Sequence, residues 1–327
     1  MFASRRRFTA LVAVSVFGLA AVFAPPVQAQ QKTTIKVSSL TLPVIAPLVW
    51  NIMKTRGLDE KHGFTLEIQA YPAISAYYAG FATGETDVVL GGPTVFQKLY
   101  QEGVPARIIG TGITLADLVI FAKDPAIKSL ADLKGKQVAM DMGSAQFQVV
   151  KIYALAKGID LGKDITVVNA NFAVARAQLE ASRVDAAMVI EPLASIITKQ
   201  NPDWKVIFNG AEGWKEITGE TGWELVPAMR AGLIEKDPTA PKKLIAALQD
   251  VAKVFHEETA AADKIGAETT KLPPGILTAA ITGGRLQLTV KPLSDAAAKK
   301  SVKDMMELAV KAGFSTQVPD DQIFYAQ

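Results

Sequence analysis

The 327-residue chain contains no cysteine. That excludes disulfides, thiolate zinc sites, a cysteine nucleophile and a lipid-modified N-terminal cysteine. Histidine is nearly as scarce, with only His62 and His256. The first sits in a Lys-His-Gly turn and the second in a charged helical stretch, so surface or capping roles suit both better than ligand or base roles. The chain has no Gly-x-Ser-x-Gly elbow and no His-Glu-x-x-His. Gly110-Thr111-Gly112 lacks the third glycine of a dinucleotide loop, and residues 158–164 fail the phosphate-loop spacing. Carboxylate pairs such as Glu257-Glu258 fall on a solvated helix face. These gaps disfavour an enzyme. No excess of one charge is present either. Lys and Arg total 35 against 32 acidic residues, and Arg5, Arg6 and Arg7 are the only charges before Lys32, so without them the two signs balance at 32 each. That balance does not support a nucleic-acid footprint. Repeats and low-complexity tracts are absent as well.

What the chain does have is apolar residues, 49% of the total, enough for a substantial core in one large or two medium domains. Residues 5–7 form a basic start, 11–23 an apolar stretch, and Val27-Gln28-Ala29 a small-residue cleavage pattern. The expectation is a signal peptide over 1–29, removed after Ala29. Ser4-Arg5-Arg6-Arg7-Phe8 also looks like a twin-arginine signal, although the general secretory route suits the same residues. The apolar run is short for a spanning helix, and no later charge-free segment reaches that length. The chain reads as a soluble exported bacterial protein, most simply periplasmic.

Periodicity predicts strands at 35–39, 64–71 and 87–90, each followed by a helix, at 47–56, 74–81 and 93–101. Two apolar runs, 107–113 and 118–123, have no helix between them and read as crossover segments. A second βα series follows, with strands at 137–140, 165–168, 186–190 and 206–208. Residues 209–222 read as a loop bearing Gly and Trp, and 225–231 as a return strand. After Asp237-Pro238 the pattern turns helical over 241–258, 260–270, 275–282 and 294–312, with a short strand at 286–290. The alternation is that of sheets covered on both faces.

Binding signals are stronger than catalytic ones. Four strand ends lead into small or hydroxyl residues at a helix start. They are Ser38-Ser39-Leu40-Thr41, Gly91-Gly92-Pro93-Thr94, Gly143-Ser144-Ala145-Gln146, and Glu191-Pro192. Ligands of open α/β sheets sit outside such strand ends, where free helix amides and hydroxyls meet a polar group. Asn171, Phe172, Trp214 and Trp223 are candidates for an aromatic wall. Ordinary capping explains each loop taken alone.

The segment Asp87-Val-Val-Leu-Gly-Gly92, the segment Ser129-Leu-Ala-Asp-Leu-Lys-Gly-Lys-Gln-Val-Ala139 and the segment Arg183-Val-Asp-Ala-Ala-Met-Val-Ile-Glu-Pro192 together resemble the nitrate/sulfonate/taurine-type binding proteins of ABC importers, the SsuA/THI5-like family. The resemblance runs from about residue 34 to about residue 312. It implies the periplasmic-binding-protein type II fold. Two α/β lobes are joined by two crossover strands, with the C-terminal helices packing back on lobe one. It places lobe one at 30–117 and 225–327, lobe two at 118–224, and crossovers near 113–121 and 225–230. Ser38–Thr41 (residues 38–41) and residues 92–94 would contact the solute from lobe one. Residues 143–146, Asn171, Phe172 and Glu191 would do so from lobe two. The solutes of the family are small and often anionic, and its partners are a membrane permease and an ATPase; no cofactor or metal is implied. The four loops hold no Arg or Lys, so an anion would rely on amides, hydroxyls or a distant Arg107, Arg176 or Arg230, whereas Glu191 suits an amine-bearing solute such as a thiamine-precursor pyrimidine. A THI5-like enzyme on the same fold and a transcriptional effector domain are the other readings. The export segment and the scarcity of histidine weigh against the enzyme, and the export segment, standing where a basic helix-turn-helix would be needed, weighs against the effector domain.

Overall fold

The computed structural model describes residues 32–326. The expected signal segment, with residues 5–7 and the cleavage point at Ala29, lies outside the described residues. The chain opens with β1 (Thr33–Leu40), α1 (Ile45–Thr55), α2 (Leu58–Lys61), β2 (Phe64–Tyr71), α3 (Ile74–Thr83), β3 (Val88–Gly91) and α4 (Pro93–Gln101). It continues through β4 (Ala106–Ile108), β5 (Ile113–Thr114), a single 3-10 turn (Leu115–Asp117) and β6 (Leu118–Ala122). The second series is β7 (Gln137–Met140), α5 (Ala145–Ala156), β8 (Thr166–Asn169), α6 (Phe172–Glu180), β9 (Ala186–Ile190), α7 (Leu193–Gln200), β10 (Lys205–Asn209) and α8 (Gly210–Thr218). The close is β11 (Trp223–Arg230), α9 (Ala231–Lys236), α10 (Ala240–Glu257), α11 (Thr259–Thr270), α12 (Ile276–Thr282) and α13 (Ala296–Lys311).

These strands form two sheets, one in each of two α/β lobes. The first runs β2-β1-β3-β11-β4, with β5 against β11; the second runs β10-β6-β9-β7-β8. In the first, β1 lies parallel to β2 and β3, because helical returns connect them, while β11 enters antiparallel to β3 and β4. In the second, β7 is parallel to β8 and β9, and β6 is antiparallel to β9 and β10. β3 and β9 are buried at every position, which is why their sequences are continuous apolar runs rather than alternations.

Two crossover strands join the lobes. The first passes from β5 through the 3-10 turn into β6; the second is the start of β11. They run in close contact. A Cβ at Gly112 would sit 2.4 Å from the Leu225 carbonyl oxygen, so only glycine fits there. Each lobe has its own core. Trp50 is fully buried in the first, with its Nε1 donating to the Ser38 carbonyl at 2.9 Å. Helices α10 and α11 pack on α1 of the first lobe. Helix α13 packs on α4, and its Met305 and Ala309 also enter the core of the second lobe.

Three local expectations need correction. Residues 209–222 are not all loop, since α8 fills most of that span. Its start is capped by the Asn209 side chain, which accepts from the Glu212 amide at 3.1 Å. Its glycines are demanded by packing, because a Cβ at Gly213 would meet the Phe208 ring at 2.4 Å. The expected strand at 286–290 makes only isolated bridges, Leu288 to Ile113 and, just beyond it, Pro292 to Gly110. A short helix, α9, follows β11 directly where none was predicted.

Candidate ligand-binding site

A cleft opens between the lobes at the carboxyl ends of β1, β3, β7 and β9. Its outer chamber has a volume of about 410 Å³. Leu42, Val44, Ile74 and Tyr78 border it from one side, and Phe172, Leu193 and Ile196 from the other. A narrower recess of about 50 Å³ adjoins it, sharing Val44, Tyr78 and Phe172 with the chamber. Tyr77, Ser144, Gln146, Glu224 and Leu225 border that recess. The lining is mostly apolar, and no Lys, Arg or His contributes to either space. The charged side chains that do are carboxyls, Glu224 in the recess and Asp141 in the chamber.

Local capping holds several of these groups. Ser144 heads α5, its Oγ accepting from the Phe147 amide at 3.1 Å and donating to the Asp141 carbonyl at 2.7 Å. Asn171 heads α6, accepting from the Val174 amide at 2.9 Å. Tyr77 donates its hydroxyl to the Leu90 carbonyl at 2.5 Å, and the Gly92 amide donates to the Tyr78 hydroxyl at 3.3 Å. Burial raises both tyrosines well above their ordinary value, so they stay neutral donors or acceptors.

The acid groups beneath the recess are the main electrostatic feature. Glu224, 2% exposed, lies on the second crossover; Asp117, fully buried, lies on the first. The Gln146 side-chain amide donates to one Glu224 oxygen. Glu224 Oε2 and both Asp117 carboxyl oxygens have no donor. The two carboxyls lie close enough that the charge of Glu224 favours a proton on Asp117. Burial pushes Glu224 up to about 7. Burial first, then the neighbouring Glu224 and Glu191 charges, push Asp117 well above its usual range. Glu191 is differently served: Arg285 Nε lies 2.5 Å from it, and the Ser195 amide and hydroxyl donate at 3.0 and 3.1 Å.

The sequence profile of the NMT1/THI5-like family matches residues 52–258, more than half of the chain. This protein belongs to the NMT1/THI5-like family. Among solved structures, the periplasmic aliphatic sulphonate-binding protein SsuA of Escherichia coli superposes with a TM-score of 0.75 at 18% identity, over 89% of this chain and 92% of that one. The alkanesulfonate-binding protein SsuA of Xanthomonas axonopodis pv. citri, bound to MOPS, gives 0.72 at 18% identity, over 90% and 98%. A curated relative in Brucella abortus (strain 2308), named as a binding protein, is 22% identical over 246 residues, 75% of this chain and 72% of its own length. The structural likeness establishes that the family member described here shares the two-lobed binding-protein fold.

Of the residues that the sequence singled out, Leu40, Ser144, Ala145, Gln146 and Phe172 border the recess. Gly143 and Asn171 border the outer chamber. Gly92, Pro93, Thr94 and Trp223 line an adjoining crevice that shares Ala145, Gln146 and Glu224 with the recess. Ser39 and Thr41 line a separate hollow with Thr269 and Thr270, which shares only Leu40 and Leu42 with the cleft. Ser38 is buried against Thr86, with hydroxyl oxygens 2.7 Å apart. Glu191 lies below the cleft in its Arg285 pair, and Trp214 is in the core of the second lobe. Sequence reasoning missed the apolar wall and Glu224. The signal for Glu224 was present: it is the single charge in an otherwise apolar run from Trp223 to Met229.

Proposed function

We propose that the protein is the periplasmic solute-binding component of an ABC importer, carrying a small solute to a membrane permease powered by its ATPase. A largely apolar cavity shared by two lobes on two crossover strands supports this, since such an arrangement closes as a hinged clamp on what enters. Lobe one would comprise 30–117 and 225–327, and lobe two 118–224. Simple capture rather than turnover suits the lining. The Ser144 hydroxyl is occupied as a cap, and both histidines are engaged elsewhere, His62 with Asp250 at 2.8 Å and His256 with the Leu288 carbonyl at 3.0 Å.

The sulfonate ligands named for the structural relatives favour an anionic solute. The lining here favours the amine-bearing alternative, because the chamber and recess offer carboxyls and no cation. Thermal-shift screening of purified mature protein against small amines, carboxylates, sulfonates and thiamine-precursor pyrimidines tests the assignment. Saturable stabilisation without product in the same tubes is the expected result. Product formation would replace the binder with a THI5-like enzyme.

A further inference from the structure

Three carboxyl oxygens beneath the recess are buried and lack donors: Glu224 Oε2 and both oxygens of Asp117. A buried acceptor left without a donor is costly, so a native fold keeps such a group for a reason. A metal ion is not that reason, since no cluster of three or more potential ligands occurs among the described residues. Nor is a protein cation: no salt bridge to Asp117 or Glu224 occurs among the described residues, and Arg285, beside them through Glu191, is bound to Glu191 and the Ser195 hydroxyl. Glu224 borders a recess of about 50 Å³, room for a head group of a few atoms, and the chamber of about 410 Å³ beyond it is walled by aliphatic and aromatic side chains. Shape and polarity together describe an amphipathic guest, with an apolar body outside and a donor head within.

We propose, resting on the solute-binding function above, that Glu224, backed by Asp117, recognises a protonated amine or amidine nitrogen on an otherwise apolar solute, whose N–H groups fill the acceptor positions that the fold leaves without a donor. The cationic N–H groups donate to Glu224, and one proton leaves the pair for solvent. Charge in the buried site is thereby conserved: one positive charge enters as one departs. Gln146 keeps its bond to the other Glu224 oxygen and tethers lobe two to the occupied site. The remaining polar groups facing Glu224 are Tyr77 and Tyr78, which stay neutral, and Glu191 is held by Arg285. A carboxylate or sulfonate head in the same recess would meet two acids and no cation.

The test uses matched probes on one body: benzylamine, benzyl alcohol, benzoate and benzenesulfonate, with the hexyl series beside them. Affinities are read by thermal shift and calorimetry, and protons by repeating the calorimetry in buffers of different ionisation enthalpy. The amine of at least one series should bind about tenfold or more tighter than its alcohol and its anions, with net proton release near neutral pH. Glu224→Gln should erase that preference while its unfolding midpoint shows that it folds. An anion or alcohol binding as well as the amine, or amine binding without proton release in the wild-type protein, overturns the inference and leaves the solute-binding function standing. No shift with any probe at millimolar concentration overturns both.

Discussion

Asp117 and Glu224 meet where the two crossover strands pass each other, one carboxyl from each strand, in a buried site that gives Glu224 Oε2 and both Asp117 oxygens no donor. The contact makes the junction of the lobes sensitive to protonation. Two ionised carboxylates at that spot would repel across the segments that join the lobes. A proton on either one relieves that repulsion.

The consequence for stability has a definite sign. Glu224 titrates near 4.5 in the unfolded chain and near 7 in the fold, so between those values the native state holds more protons. Stability from this group is complete below the lower value and is lost as pH rises through the upper one, a change on the order of 3 kcal/mol. Asp117 shifts in the same direction. Urea unfolding of the ligand-free protein should therefore show a midpoint that declines between about pH 5 and 8. Glu224→Gln should flatten that decline. An equally steep decline in the variant would assign it to other groups.

Gly92 and Ala145 touch across the cleft, from lobe one and lobe two. A Cβ at Gly92 would lie 2.4 Å from the Ala145 Cβ, closer than two carbons can approach, although the backbone there suits any residue. Gly92→Ala should thus wedge the lobes apart rather than strain the chain. We expect solute affinity to fall by about 1–3 kcal/mol and small-angle scattering to report a larger radius with ligand present. Wild-type affinity together with a wild-type radius would show that the lobes do not need this contact.

The two-lobed fold was legible because its determinants are local. β2, β7 and β9 fall where alternation or a bounded apolar run placed them, to the residue. Helix α8 was hidden because Gly210, Gly213 and Gly219 carry the local signature of a loop, while the reason for Gly213 is the Phe208 ring packed on it. The polar half of the site was partly legible for the same reason, as Ser144 and Asn171 are caps and capping is a short-range pattern. The apolar wall was not, because Leu42, Ile74 and Ile196 look the same in sequence whether they face a cavity or a core. Thr41 failed for a third reason: it follows a strand end as expected, but its hollow opens toward α11.

Ser144 separates capping from contact. Its hydroxyl completes the first turn of α5 and borders the recess. Ser144→Ala should cost about 1 kcal/mol of folding stability by denaturant titration. Ser144→Asp should restore most of it, since a carboxylate caps as well. If the alanine variant also loses affinity in excess of that cost, the hydroxyl touches the solute; a stability change alone would confine Ser144 to the cap.

Arg285 and Glu191 join the segment after α12 to the end of β9. Glu191 is fully buried and Arg285 mostly so, and α12 packs on α7 immediately beside them. Arg285→Met leaves a buried carboxylate with only the two Ser195 donors. Loss of a fully buried partner costs about 3–5 kcal/mol, and the remaining Ser195 bonds with the partial exposure of Arg285 reduce the expectation here to about 2–3 kcal/mol. Adding Glu191→Gln removes the stranded charge and should recover part of the loss, because the amide still accepts from Ser195. Equilibrium unfolding of the two variants measures both steps. A double variant less stable than Arg285→Met alone would mean that Glu191 contributes through its charge to another group, and Asp117, whose proton the Glu191 charge helps to retain, is the group in position.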